Sequence, residues 1–242
     1  MAEHQELFIR LNRLLIESSD DPKCQSPAEI LARLGTPTAS IAVLDNGQIA
    51  SHCISTRHDD TETLFQACSI SKPVAGLALM KLIELGHLSL EDKICDVLPG
   101  NIAQHLLSDP KTKPIVSTIT IKHLMSHTAG LSTRGFPGYP DETRVPSVAE
   151  VVTGARTNTQ PVELITLPGL EFMYSGGGIT LLQCIMEKVM DTSFEQIVTD
   201  YVLDPLGMTR SCYKLADGET NVSQSYYTGF LPTENKWHFQ PE

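Results

Sequence analysis

The sequence predicts a chain in which helices and antiparallel strands occupy separate stretches, and three observations carry that reading. The opening MAEHQELFIRLNRLLIESSDD reads as an amphipathic helix with Leu7, Leu11, Leu14 and Leu15 on one side. Thr38 to Leu44 and Gln48 to Ser55 read as two strands joined across Asp45-Asn46-Gly47, a strong hairpin turn. The stretch from Leu64 to Leu85, LFQACSISKPVAGLALMKLIEL, has a second half that is apolar almost all round, the profile of a buried helix.

The remaining elements follow in order. Pro22, Pro27 and Pro37 frame a short helical stretch from Ala28 to Leu34, and Arg57 to Glu62 is a polar loop. Gly86 stops the long helix, as a residue able to take positive φ just past the last turn. Beyond it the chain reads as helix and loop. Thr120 caps a helix from Ile121 to Ser126, and Ser132 to Pro146 is a loop rich in proline and glycine. Ser147-x-x-Glu150 and Ser193-x-x-Gln196 are capping boxes, and Ile179 to Met190 has helical apolar spacing. From Ser211 onward the chain reads as an aromatic, loop-like tail.

Composition narrows the function classes. The 242 residues are 41% hydrophobic and 19% charged, enough for one large domain or two small ones. A net charge of −11 without a run of Lys or Arg argues against nucleic acid and anionic membrane surfaces as partners. The first residues carry acids where a signal peptide carries bases, and no apolar run approaches a membrane span, so the expected compartment is cytoplasmic. The six cysteines make no C-x-x-C pair and read mostly as small apolar residues.

One spacing suggests chemistry. Ser69 lies at the mouth of the long helix, Pro73 suits its first turn, and Lys72 projects from the same face one turn after Ser69. A serine hydroxyl becomes a nucleophile when a base takes its proton, and a neutral Lys72 can be that base. The helix mouth also favours the oxyanion formed on attack at a carbonyl. Ser108-x-x-Lys111 and Ser211-x-x-Lys214 have the same spacing, but neither opens a long apolar helix. The bland reading of Ser69 is a helix cap beside a solvated lysine. Cys68 adjoins Ser69 as a weaker candidate nucleophile. His123 and His127 stand four apart, a zinc-compatible spacing with no third ligand in view, and a histidine bonded to a loop is the commoner arrangement. Gly176-Gly177-Gly178 precedes a helix without a clear preceding strand, so phosphate binding there is weak. Tyr174 stands in a small-residue turn before that helix, where a phenol beside a lysine can carry a proton.

Four blocks occur in order: FQACSISKPVAGLALMKLIELGHLSLEDKICDVLP, ITIKHLMSHTAGL, FMYSGGGITLLQCIMEKVMDTSFEQIV and VLDPLGM. Together they resemble the serine β-lactamase-related family, which includes class C β-lactamases, D-alanyl-D-alanine peptidases, esterases and acyltransferases. The resemblance implies that Ser69 is the acyl-accepting nucleophile and that Lys72 and Tyr174 share the general-base role. It implies an α+β fold, with an antiparallel sheet lobe, incomplete here, its flanking helices, and an inserted all-helical lobe. Residues 1–66 are expected to form the N-terminal part of the sheet lobe, and residues 67–242 the helical lobe with an aromatic tail.

The expected activity is that of a serine hydrolase acting on a small-molecule ester, amide or thioester without metal or cofactor. The alternatives are an acyltransferase working through the same acyl-enzyme and a catalytically dead, truncated family member. Gly176 stands where the second motif usually carries Asn, which turns the expectation from β-lactams toward esters or unusual amides. The third motif, Lys or His, then Thr or Ser, then Gly, does not occur. The expectation is therefore a chain cut short of its late strands, with a sheet edge open to association.

Overall fold

Asn46 and Gly47 both take positive φ, 48° and 76°, the pair a two-residue hairpin turn needs for its twist to match the strands. They join β1 (Thr38–Asp45) to β2 (Gln48–Ser55) with Asp45 opposite Gln48 and Thr38 opposite Ser55. The computed structural model describes residues 2–20, 24–136, 144–223, 225–228 and 237–240. Among these it is α+β, with ten α-helices and two antiparallel two-stranded sheets. The chain separates into two units, Met1–Gln66 with Ala216–Pro241, and Ala67–Leu215.

The first unit begins with α1 (Ala2–Glu17) and α2 (Pro27–Arg33). The inward stripe of α1 is His4, Phe8, Leu11, Asn12 and Leu15, with Phe8 stacked on His52 of β2 at 5.0 Å. Leu7 and Leu14, expected on the covered side, are exposed. An aromatic at position 8 covers more apolar area than either leucine and sets the rotation of the helix. Ser26 and Glu29 form a reciprocal capping box at the start of α2. The end of the chain returns to this unit: Leu64 N–H donates to Asn221 O at 2.9 Å and Ser223 N–H to Leu64 O at 2.8 Å.

Two strands follow where the sequence read as loop. β3 (Ser225–Thr228) pairs with β4 (Trp237–Gln240), Thr228 opposite Trp237. Residues 229–236, between the two strands, lie outside the described residues.

The second unit carries the core. Its long helix, α3 (Ser71–Glu84), follows a 3₁₀ turn over Cys68–Ile70. It buries Ala78, Leu79 and Leu82 but leaves Leu77 and Met80 exposed at 55% and 40%. The expectation of a helix buried all round is thus corrected: apolar content does not reveal which face is covered. Short helices α4 (Ile94–Val97), α5 (Gly100–Leu106), α6 (Lys113–Val116), α7 (Ile121–Met125) and α8 (Val148–Thr153) surround it. α9 (Gly176–Met190) and α10 (Phe194–Val198) complete the unit, with a π turn at Thr199–Leu203. Ile94, Ile119, Ile121, Leu181, Ile185 and Ile197 are fully buried among them.

The Ser147–Glu150 box forms as expected, with Ser147 N–H donating to the Glu150 carboxylate at 2.8 Å. The second box is only half made. Gln196 N–H donates to Ser193 Oγ, while the Gln196 side chain turns to Asp200 at 2.6 Å. Among the described residues no helix is long and apolar enough to cross a membrane.

Candidate active site

Ser69 sits in the 3₁₀ turn that leads into α3, so its exposed hydroxyl and the Lys72 side chain leave the backbone on one side. Lys72 Nζ donates to Ser69 Oγ at 3.1 Å, and the Tyr174 hydroxyl donates to the same oxygen at 2.8 Å. Lys72 Nζ also stands 5.2 Å from the centre of the Tyr174 ring. The three residues expected from the sequence thus meet at one atom, although 105 positions separate Ser69 from Tyr174.

Tyr174 is positioned from both sides in sequence. Behind it, Met173 N–H donates to His127 O at 2.7 Å, and Gly169 N–H to Thr128 O at 2.7 Å, which ties the approach to the turn after α7. Ahead of it, Ser175 caps α9, its Oγ accepting from Gly178 N–H at 2.9 Å and donating to Ser132 O at 2.7 Å. The three glycines are buried in the first turn of α9. A Cβ on Gly177 would come within 2.7 Å of Val162, and one on Gly176 within 3.1 Å of the Arg134 carbonyl oxygen. These glycines serve close packing of the helix start. A side chain at Gly176 would thus press on the Arg134 carbonyl and the Phe136 ring, which would have to give by a few tenths of an ångström.

His127 is the neighbour that sequence reasoning left outside the site. Its ring lies 4.5 Å from that of Tyr174, and its Nδ1 accepts from Ser175 N–H at 3.2 Å. His123 instead turns Nδ1 to Thr120 N–H at 3.1 Å, so the two imidazoles serve different backbone amides. The signal available in the sequence was the His127-Thr128-Ala129-Gly130 block, noted as part of a family pattern but assigned no task. Tyr213 was also missed. Its hydroxyl donates to Ser71 O at 2.5 Å and fixes the first turn of α3. Cys68 and His127 both stand at positive φ, 46° and 55°, so left-handed non-glycine backbone adjoins Ser69 and Tyr174.

Lys72 beside the ring, and then the contact with Ser69, hold the Tyr174 phenol below its ordinary range. Burial, followed by the charge of Lys72, lowers the His127 imidazole, which favours the neutral ring that accepts at Nδ1. Two cavities adjoin Lys72. One, of about 300 Å³, runs along α3 and α9 with a mainly apolar lining. The other, of about 280 Å³, is lined by Cys68, Gly176, Thr180, Glu195 and Tyr213.

A family model described as Beta-lactamase matches residues 27–239. The chain belongs to the β-lactamase family. Among curated relatives, Protein flp of Staphylococcus aureus (strain MW2) is 29% identical over 188 residues, 74% of this chain and 35% of that protein. Protein Rv1367c of Mycobacterium tuberculosis (strain ATCC 25618 / H37Rv) is 32% identical over 176 residues, 68% of this chain and 43% of its own length. This β-lactamase-family chain therefore spans well under half the length of these relatives.

Solved structures share the fold. The octameric penicillin-binding protein homologue of Pyrococcus abyssi superimposes with a TM-score of 0.67 at 24% identity, over 87% of this chain and 48% of that one. EstCE1, described as a hydrolase with promiscuous acyltransferase activity, does so with 0.63 at 21% identity, over 88% and 56%.

Proposed function

We propose that this chain carries the nucleophile and base of a serine hydrolase that cleaves an ester or amide through an acyl-enzyme on Ser69. The observation that carries the reading is the convergence of Lys72 Nζ and the Tyr174 hydroxyl on Ser69 Oγ, at 3.1 and 2.8 Å. In the acylation step Ser69 Oγ bonds to the substrate carbonyl carbon while its proton passes to the Tyr174 phenolate, beside which Lys72 stands. The bond from that carbon to the leaving oxygen or nitrogen breaks, and the leaving group takes up the same proton. Water then attacks the acyl-enzyme by the reverse proton path, releasing the acid and restoring Ser69. The lowered phenol of Tyr174 supports its part as proton acceptor. The tight packing at Gly176 supports an ester over a substrate that needs an Asn side chain there.

A fluorescent alkyl phosphonate tests the assignment. It is expected to label the wild-type chain and to leave Ser69→Ala unlabelled. Equal labelling of the variant would remove Ser69 from the role.

The acyltransferase reading has one observation in its favour, the fold shared with EstCE1, a hydrolase with promiscuous acyltransferase activity. It keeps the same acyl-enzyme and replaces water by an alcohol or amine. Partition of a thioester substrate between water and added alcohols separates the two, and transfer is ruled out when no added alcohol competes with water.

A further inference from the structure

Gly76 lies in the middle of α3, where glycine is disfavoured relative to alanine, yet nothing in its surroundings requires it. Its φ is not positive, and a Cβ there would meet only Met125 Cε, at 3.5 Å, an ordinary contact. What the missing side chain does is leave a gap. Lys72, Gly76 and Met80 are spaced by four on one helix face. Over the gap runs the cavity of about 300 Å³, walled by Leu77, Met80, Met125, Leu182 and Met186. Lys72 and His127 stand where the cavity meets the reacting groups, and the exposed Leu77 and Met80 form its outer rim. From Lys72 to Met80 the trough follows α3 for about 12 Å. Its volume is at the lower end for small-ligand sites, about 300–1,000 Å³, and its methionines adapt to flexible chains.

We infer that this trough receives the acyl chain of the substrate, so that the site takes esters or thioesters of apolar carboxylic acids of medium length. The inference rests on the acyl-enzyme reading of Ser69. Lys72 bonds to the nucleophile and also borders the trough, so an acyl group on Ser69 has an apolar channel beginning beside it.

The test is a series of p-nitrophenyl esters, from acetate to decanoate, turned over by the full chain. Each added methylene is expected to raise kcat/KM about threefold to fourfold until the trough is filled. Gly76→Leu fills the gap from within. It is expected to keep acetate turnover within about twofold while losing the rise with chain length. Met80→Trp, on the exposed rim, gives the same readout if Gly76→Leu does not fold.

A wild-type profile flat in chain length overturns the inference, as does a profile unchanged in the variants. Failure of the underlying chemistry looks different, because acetate turnover would then survive Ser69→Ala. In that event the trough is read without acylation, by calorimetric binding of decanoate to the Ser69→Ala protein. Binding abolished by Gly76→Leu supports the trough, and absent binding, or binding indifferent to that substitution, ends it.

Discussion

Nδ1 of His127 accepts the amide hydrogen of Ser175 at 3.2 Å, so one imidazole holds the residue that follows the tyrosine it packs against. Only a ring unprotonated at Nδ1 can accept that bond. Burial and the nearby Lys72 depress the imidazole, so folding favours its neutral form. The associated stability is complete above the ordinary imidazole value of about 6.5 and is lost as pH falls through the depressed folded-state value. We expect thermal stability to drop between neutral and mildly acid pH in the wild type and to drop less in His127→Gln. Melting curves at stepped pH check this, and equal slopes would show that His127 is not the titrating group.

Tyr174→Phe removes the hydroxyl donated to Ser69 Oγ and keeps the ring against His127. If Tyr174 is the general base of the proposed acyl-enzyme chemistry, a loss of about 10²–10⁴ in kcat/KM for a nitrophenyl ester is expected. Melting temperature serves as the control and is expected to change little.

Lys72 is the largest influence lowering the Tyr174 phenol. Labelling of Ser69 by a phosphonate is therefore expected to rise with pH as the phenol ionises. In Lys72→Met that rise is expected at higher pH. A rise in the same place would mean that Lys72 does not tune Tyr174.

Ser175→Ala should cost stability in addition to activity. The side chain is only 3% exposed and serves two backbone groups, Gly178 N–H and Ser132 O. Loss of a cap costs about 0.5–2 kcal/mol, and leaving buried partners unsatisfied adds to it. Urea unfolding is expected to show a loss of about 2 kcal/mol at unchanged m-value.

Gly177→Ala tests the packing at the start of α9. The added methyl would stand 2.7 Å from a methyl group of Val162, and overpacking of this kind costs about 1–3 kcal/mol. The double variant Gly177→Ala/Val162→Ala is expected to regain part of the loss, and failure to do so would place the strain elsewhere.

Local signals in the sequence located most elements. Asn46-Gly47 set the hairpin register, Ser147 and Ser193 stand at helix caps, and Ser69-x-x-Lys72 lies at the mouth of α3. What resisted reading depended on partners distant along the chain. Nothing near Leu7 indicates that Phe8 will find His52. The turn of Gln196 to Asp200 is different: an i,i+4 bond along the helix competes with the cap, and spacing alone does not say which wins. β3 and β4 were hidden because four-residue strands show too little alternation to stand out from an aromatic tail. In the site, the Ser69–Lys72 pair follows from helix geometry, whereas Tyr174, a candidate proton carrier from its turn alone, gained its general-base role only through family resemblance. For His127 a backbone bond was the commoner expectation, but not that it would hold the residue after Tyr174, since that bond spans 48 residues.

The unit that bears Ser69, Lys72, His127 and Tyr174 is continuous from Ala67 to Leu215, whereas the other unit draws on stretches to either side of it. On a translating ribosome the two therefore have different schedules. The continuous unit has all its strand-free core in hand once Leu215 has left the exit tunnel, and it can close on local contacts. The hairpin and α1, made first, must wait for Asn221 and Ser223 to reach Leu64. Ser69, Lys72, His127 and Tyr174 would thus be brought together before the unit holding α1 and the hairpin is finished, an order that proteolysis of stalled nascent chains ending on either side of Ala216 would reveal.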